Sequence, residues 1–404
     1  MALTGSRGIH STIGALLVLA LIGAATIAPI ALSQENVLKV LNYSEYIDPE
    51  VLELFERETG VRVIYDEFEA AEEAWAKLKV GGAGYDLIII AHSYVKLAIE
   101  QGLVKKLDKS KIPNLANLDP VIAGHPADPG QEYAVPYMWG TTGIAYVEGC
   151  VDEPPRTWRQ LFDPGYVSRY SGRVSLLSEF SEVFEAAMIA LGYDPSDRSN
   201  WNPEVAREVA SLVISVKDYL AGFYGASEYM PALANEQVCI AQAWNGDVLV
   251  VREENPRVNY VIPEDGTWFW VDYMLIPKDA ENVEAAHKFI NFLLDPEIAA
   301  RNVKFVWYAA SVKKELLDSL AEASGDAELL EVLQDPLVYP PSEARLIPSP
   351  VLDQEMNRLL EDTRIAVQTG EIPGEEPGIP YQAIAALAVV LAAIVFLAAR
   401  RRRV

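Results

Sequence analysis

The chain has 404 residues, a formal net charge of −25 and a hydrophobic content of 50%. This length suffices for two domains or one large two-lobed body. An acidic chain is poorly suited to nucleic acid, whose phosphates bind basic surfaces, but it attracts cations. Composition therefore excludes nucleic acid as a partner and keeps small cations among the candidate ligands.

The first 33 residues have the pattern of a secretory signal peptide. They contain one cation, Arg7, then a largely aliphatic run from Ile13 to about Ile27, and small residues at Ala31-Leu32-Ser33. An uncleaved anchor is the alternative, because this apolar run is at the long end for a signal peptide. We favour removal of residues 1–33, which places the remaining chain outside the cytoplasm.

The C-terminal end has the pattern of a membrane anchor. Tyr381 to Ala399 is uncharged and mostly aliphatic, and as a helix it nearly crosses a hydrocarbon core of about 30 Å. The four arginines that follow predict a cytoplasmic tail at residues 400–404 and a body on the outer face of the cytoplasmic membrane, periplasmic or extracellular. Residues 370–380 form a Pro/Gly/Glu linker. A C-terminal processing signal is the alternative, so the fate of this tail stays open.

Strand and helix patterns alternate from residue 37 onward and predict an α/β fold. After a strand at Val37–Leu41, Asp48 and Pro49 predict the start of a helix, and Gly60 predicts its end. The glycines at 81, 82 and 84 indicate a plain turn, because no Lys-Ser/Thr follows and no helix opens there. Other predicted strands are 61–68, 85–90 and 238–243, and other predicted helices are 183–191, 205–219 and 284–294.

The segment from Thr267 to Pro277 predicts an aromatic-rich strand with an acid on one face. Strand periodicity places Trp268, Trp270 and Asp272 on the same side. A carboxylate beside indole rings suits an organic ammonium ion, because aromatic faces attract cations. An ordinary core strand is the alternative.

Further aromatic, hydroxyl and acidic residues could belong to the same site. Tyr43, Ser44 and Tyr46 follow the first strand, where ligands of open α/β sheets bind, although turn chemistry explains them equally well. Glu179 and Glu182 share one face at a helix start, where the helix dipole is expected to keep both ionised. Trp244 and Tyr308 are, by themselves, better explained as core residues.

The sequence shows no catalytic or metal-binding constellation. The histidines are isolated, no Cys/His pair has metal-ligand spacing, and no Gly-x-Ser-x-Gly elbow occurs. We therefore expect no catalytic residues, no metal and no cofactor. A bridge between Cys150 and Cys239 is compatible with an oxidising compartment, but their spacing alone does not establish it.

A series of short motifs runs from about residue 37 to 370, and individually each is modest. They are Leu41 to Tyr46, Thr59 to Tyr65, Ala76 to Lys79, Tyr85 to Leu87, Leu107 to Ser110, Asn117 to Pro120, Val135 to Gly140, Trp244 to Gly246, Phe269 to Asp272 and Ile290 to Leu294. In this ordered series the chain resembles the bacterial periplasmic spermidine/putrescine-binding proteins.

This resemblance implies a type II periplasmic-binding-protein fold, in which two lobes close on the ligand by hinge motion. Chain crossovers near residues 142, 270 and 317 would place 34–142 and 271–316 in lobe 1, and 143–270 and 317–369 in lobe 2. The resemblance also implies a monomeric receptor that delivers a polyamine to an ATP-binding cassette (ABC) permease.

The resemblance carries a set of ligand-binding positions onto this sequence. These positions are Tyr43, Ser44, Tyr46, Glu179, Glu182, Trp244, Trp270, Asp272 and Tyr308. The family's serine and tyrosine after the Tyr-Asp-Leu strand fall on Ala91 and Ser93, so a hydroxyl and an aromatic wall are lost unless Tyr94 replaces the latter. Gln354 is the weakest candidate, as the nearest counterpart of a late glutamine.

Other functions remain open from the sequence. A receptor of the same fold could bind a thiamine-like cation, a sugar or a metal ion. A glycoside-acting enzyme could use the acids and aromatics, although Glu179 and Glu182 lie on one helical face instead of flanking a bond. A structural or adhesive surface protein would not need such a cluster.

Overall fold

A computed structural model describes residues 36–340 and 346–372. Within these ranges no helix is both long and apolar enough to cross a membrane. The predicted signal segment, the predicted transmembrane helix and the basic tail lie outside the described residues.

The strands are β1 (Val37–Tyr43), β2 (Arg62–Phe68), β3 (Leu87–Ala91), β4 (Ala134–Val147), β5 (Val174–Leu177), β6 (Gly222–Tyr224), β7 (Ile240–Trp244), β8 (Val258–Val261), β9 (Thr267–Leu275), β10 (Ala309–Ala310) and β11 (Leu346–Pro348).

Helices alternate with these strands. They are α1 (Pro49–Thr59), α2 (Ala71–Lys79), α3 (His92–Glu100), α4 (Pro120–Ala123), α5 (Trp158–Leu161), α6 (Pro164–Val167), α7 (Phe180–Leu191), α8 (Pro203–Lys217), α9 (Ala226–Ala234), α10 (Asn245–Glu254), α11 (Val283–Leu293), α12 (Pro296–Val306), α13 (Lys314–Ser324), α14 (Ala327–Gln334) and α15 (Gln354–Thr369). The Asp48 side chain caps α1 by accepting from the Glu50 amide, and Gly60 ends it at φ 68°. Both predicted boundaries of this helix are confirmed.

The described strands form a sheet in the order β2-β1-β3-β9-β4-β7-β5-β6, with β8 and β10 also paired to β4 and β11 to β9. β1 lies parallel to β2 and β3, and β5 lies parallel to β6 and β7. Between these two parallel groups, β9 is antiparallel to both β3 and β4. The sheet is therefore mixed, with two parallel halves joined by two antiparallel strands.

β4 carries the chain from one half of the sheet to the other. Its residues up to Thr141 pair with β9, and its residues from Thr142 onward pair with β7 and β8. This change of partner lies near residue 142, the position that the family resemblance implies for the first crossover. The lobe boundaries stay a prediction. Near the predicted crossover at residue 317, helices α13 and α14 pack against α12, which precedes that crossover. The later helix α15 packs instead against α7 and α8.

A disulfide joins Cys150 to Cys239, with a Cα–Cα distance of 5.6 Å. Cys150 follows β4, and Cys239 directly precedes β7, its antiparallel partner. The sequence alone left this bridge open. In the structure it fastens the connection between β4 and β7 within the second half of the sheet.

Candidate functional site

A pocket lies between the two halves of the sheet, with about 390 Å³ of empty space that includes open solvent. The structure brings every residue of the predicted ligand set into its lining. The lining residues are Tyr43, Ser44, Tyr46, Ala91, Glu179, Glu182, Ala226, Trp244, Asp247, Trp270, Asp272 and Tyr308. Contact of these residues with a ligand remains a prediction.

The topology explains why residues so distant in sequence meet here. Tyr43, Ala91 and Trp244 are the last residues of β1, β3 and β7, and Glu179 follows β5 by two residues. The carboxyl ends of these parallel strands point towards one crevice, which is the usual ligand site of open α/β sheets. β9 crosses between the halves and contributes Trp270 and Asp272.

Aromatic rings pack edge to face around the pocket. Tyr308 lies 5.2 Å from Tyr46 and 5.3 Å from Trp270, measured between ring centres. The Tyr43 ring lies 6.2 Å from that of Trp244. The Tyr46 hydroxyl and the Trp270 indole N–H are buried without a hydrogen-bond partner in the part of the chain that the structure describes. The wall is therefore apolar and π-rich, with polar groups still available.

Asp272 is the acid on β9, and its side chain is buried. Burial raises the pKa of its carboxyl to about 7, because low polarity disfavours the charged form. The Tyr46 hydroxyl is close enough to lower this pKa, but it makes no hydrogen bond of ordinary geometry. Among the described residues no basic side chain forms an ion pair with Asp272, so this carboxyl is suited to a cationic ligand.

The expectation that Glu179 and Glu182 both stay ionised is wrong. Burial raises the pKa of Glu179, with a further increase from the nearby Glu72 carboxyl, and burial raises the pKa of Glu182 to about 8. Their position at the start of α7 is as predicted, but desolvation outweighs the helix dipole when both carboxyls lose water.

Hydrogen bonds fix both glutamates. Glu179 accepts from the Ala71 amide and from the Ser181 hydroxyl, each at 3.3 Å. Glu182 accepts from the Thr142 hydroxyl and, at 3.0 Å, from the Trp268 indole. Trp268 itself is buried behind the pocket and is stacked on Trp158 with ring centres 5.5 Å apart. It therefore supports the site without lining it.

Asp247 is a lining acid that the sequence analysis missed. It lies in the first turn of α10 and accepts hydrogen bonds from the hydroxyls of Tyr229 and Tyr308. Burial raises its pKa to about 6, while both hydroxyls lower it. The sequence feature that could have identified Asp247 is its position three residues after Trp244, shortly beyond the carboxyl end of a predicted strand.

The three weaker candidates lie outside the pocket lining. Ser93 is buried in α3, where its carbonyl accepts from the Leu352 amide at 3.1 Å. Tyr94 is buried and stacked on Trp75 with ring centres 5.4 Å apart, so it does not replace the lost aromatic wall. Gln354 is exposed at the start of α15.

Comparison with known proteins agrees with this geometry. Residues 50–328 match the family of bacterial extracellular solute-binding proteins. A putrescine-binding periplasmic protein of Pseudomonas aeruginosa is 34% identical over 376 residues, covering 87% of this chain and 98% of the relative. A spermidine/putrescine-binding periplasmic protein of Escherichia coli is 34% identical over 313 residues, covering 76% of this chain and 84% of that protein.

A solved structure described as a putative spermidine/putrescine ABC transporter from Listeria monocytogenes is 30% identical, with a TM-score of 0.74, covering 83% of this chain and 99% of that one. This likeness and the mixed sheet confirm the predicted class, a two-lobed α/β periplasmic-binding-protein fold. The sequence relatives carry the names of binding proteins and not of enzymes. The chain belongs to the bacterial extracellular solute-binding proteins.

Proposed function

We propose that this protein is an extracytoplasmic receptor that captures a polyamine between its two lobes and delivers it to an ABC permease. The observation that carries the proposal is the set of buried acids in one aromatic-walled pocket. Asp272, Glu179 and Glu182 line it, and within the described residues none of them forms an ion pair with a lysine, arginine or histidine.

This arrangement matches the chemistry of a polyamine, which carries several ammonium groups joined by methylenes. Each ring–cation contact contributes about 0.5–2 kcal/mol, and each charge-assisted hydrogen bond to a carboxylate contributes about 1.5–3 kcal/mol. Three acids and several rings therefore provide enough binding free energy for micromolar or tighter affinity, after the entropic cost of ordering the ligand is subtracted. A neutral sugar would supply no cation to these carboxyls.

The proposal includes a location. The signal peptide at residues 1–33 would export the chain, and the helix at 381–399 would hold its body on the outer face of the cytoplasmic membrane. Family membership and the names of the relatives support an extracytoplasmic site and a permease partner. Fractionating cells that express the full chain or a variant ending at residue 372 tests the anchor, because only the full chain should sediment with membranes.

The ligand proposal is tested by isothermal titration calorimetry on the purified full chain. Spermidine, putrescine and spermine form the test set, with thiamine and an oligosaccharide as comparison ligands. We expect micromolar or tighter binding of at least one polyamine and none of the oligosaccharide. Absence of heat with all three polyamines would overturn the proposal, and tight thiamine binding would reassign the receptor to another cation.

A further inference from the structure

One acid beside the pocket, half-buried as a residue but with a buried carboxyl, has no role in the site described so far. Glu72 lies in the first turn of α2, and both of its carboxyl oxygens are buried without a hydrogen-bond partner among the described residues. The backbone amides of Glu72 and Ser181 are close enough to lower the pKa of this carboxyl, but neither makes a hydrogen bond of ordinary geometry with it.

Glu72 is adjacent to the pocket-lining acid Glu179. The amide of Ala71, the preceding residue, donates to Glu179 Oε2 at 3.3 Å, and the charge of Glu72 raises the pKa of Glu179. The two acids come from opposite halves of the fold, from the first turn of α2 and the N-cap of α7. Two carboxyls brought together out of water require either protons or a cation between them.

Two aromatic residues complete this environment. Trp75, on the same helical face as Glu72, stacks on Tyr94 with ring centres 5.4 Å apart. The Tyr94 hydroxyl is fully buried without a partner in the ranges that the structure describes. Burial raises its pKa, and the charges of Glu72 and Glu179 raise it further. We call these residues the Glu72 recess, defined by Glu72, Trp75, Tyr94 and Glu179.

Nearby basic groups leave the recess without a complete countercharge. Arg364 on α15 lowers the pKa of Glu72, but Glu361 on the same helix raises it, and the Arg364 guanidinium is bound to Glu361 at 2.6 Å. Lys79 Nζ lies 5.6 Å from the Trp75 ring centre. Burial is the largest influence and raises the pKa of Glu72 to about 7.

We propose that the Glu72 recess is an additional ammonium subsite, so that the receptor selects a polyamine with a third amino group over a diamine. This inference rests on the proposed polyamine function and deepens it. Asp272 would bind one amine and the Glu179/Glu182 end of the pocket a second. The third would lie between Glu72 and Glu179, where the unpartnered Tyr94 hydroxyl can accept a hydrogen bond from it. A diamine would leave the recess without a cation.

The test compares a triamine with a diamine by calorimetry on the full chain at pH 7.5. Glu72→Gln keeps the shape of the side chain and removes its charge. We expect this variant to lose at least about tenfold in spermidine affinity, about 1.4 kcal/mol, and less than about threefold in putrescine affinity. Glu73→Gln is the matched control, because Glu73 is the exposed neighbour on the same helix, and it should leave both affinities unchanged.

A second measurement keeps the inference falsifiable if Glu72→Gln proves unstable. Calorimetry of the wild-type chain in buffers of different ionisation enthalpy should show more protons released on binding spermidine than on binding putrescine. Equal proton release, unchanged spermidine affinity in Glu72→Gln, or equal losses for both amines would overturn the inference and leave the proposed function standing. If the wild-type chain binds neither amine, the proposed function fails first and the inference with it.

Discussion

Asp272 is expected to be the main ammonium partner in the pocket, because it is a buried acid with no basic neighbour bound to it. Asp272→Asn should weaken spermidine binding by at least about tenfold, or about 1.4 kcal/mol, measured by calorimetry. Asp152→Asn is a suitable control, since the Asp152 side chain is 89% exposed. An unchanged affinity in Asp272→Asn would show that another acid takes the amine.

The raised carboxyl pKa values also predict how stability depends on pH. The folded chain holds protons on Asp272, with a pKa of about 7, and on Glu182, with a pKa of about 8, whereas the unfolded chain has lost them above about pH 5. Stability of the ligand-free protein should therefore fall as the pH rises from 6.5 to 8.

Thermal unfolding measured from pH 6.5 to 8 tests whether stability falls with rising pH. Asp272→Asn should show a shallower fall, because its amide does not titrate. His92 and His125 have lowered pKa values, so their opposite effect on stability is confined to pH values below about 6.5. A midpoint that rises between pH 6.5 and 8 would contradict the prediction.

At the scale of single residues, the sequence predicted which side chains meet in the pocket but not whether their acids are ionised. Tyr43, Trp244, Trp270 and Asp272 were found because their residue types follow a family pattern. The protonation of Glu182 was not predictable, because it depends on burial by chain segments far away in sequence. Glu72 likewise could not be distinguished from an ordinary helix-start glutamate, since that position is usually exposed.

At the scale of elements, the close packing of β4 against β9 predicts a sensitive glycine. Gly140 pairs with Trp270, and a Cβ at Gly140 would lie 2.6 Å from the Trp270 ring and 2.5 Å from Asn245 Oδ1. Gly140→Ala should displace the indole from its place in the pocket wall. We expect at least a tenfold loss of spermidine affinity and about 1–3 kcal/mol of lost stability from overpacking.

Calorimetry and chemical unfolding measure these two effects. Gly130→Ala is the control, because a Cβ there meets its nearest neighbour at an ordinary 3.5 Å. If Gly140→Ala bound spermidine as tightly as the wild type, the Trp270 ring would not be a rigid part of the wall.

The elements themselves were predicted where local signals exist. Asp48 and Gly60 marked the ends of α1 because capping and left-handed backbone have clear sequence signatures. The start of α7 was placed too late, at Val183 instead of Phe180, because its N-cap, Glu179, makes no capping hydrogen bond. The strand predicted at 85–90 corresponds to β3, but an apolar run does not reveal that one of its neighbours is antiparallel.

At the scale of the whole molecule, the buried pocket predicts a change of shape. Trp270 and Asp272 are each only 5% exposed, so a ligand enters only if the two halves separate. Contacts between them include the Ala71 amide with Glu179 at 3.3 Å and the Ser227 amide with Glu69 at 3.4 Å. We infer that the ligand-free chain populates a more open state, which closes by hinge motion.

Small-angle X-ray scattering measures this closure. The radius of gyration should decrease when saturating spermidine is added, and Asp272→Asn at the same spermidine concentration should change less. An unchanged radius of gyration in the wild type, under conditions where calorimetry shows binding, would mean that the ligand enters without lobe movement.

The Cys150–Cys239 disulfide implies that the chain is less stable before the bond forms than after it. While both thiols are reduced, the long loop between them is open, and the unfolded chain retains the conformational entropy that the closed loop later removes. A chain still in a reducing compartment is therefore the less stable form and is easier to thread through a translocation channel. Oxidation on the far side then raises the cost of unfolding by about 2–4 kcal/mol. The absence of the bond would thus ease the proposed export, and its formation afterwards would stabilise the exported fold.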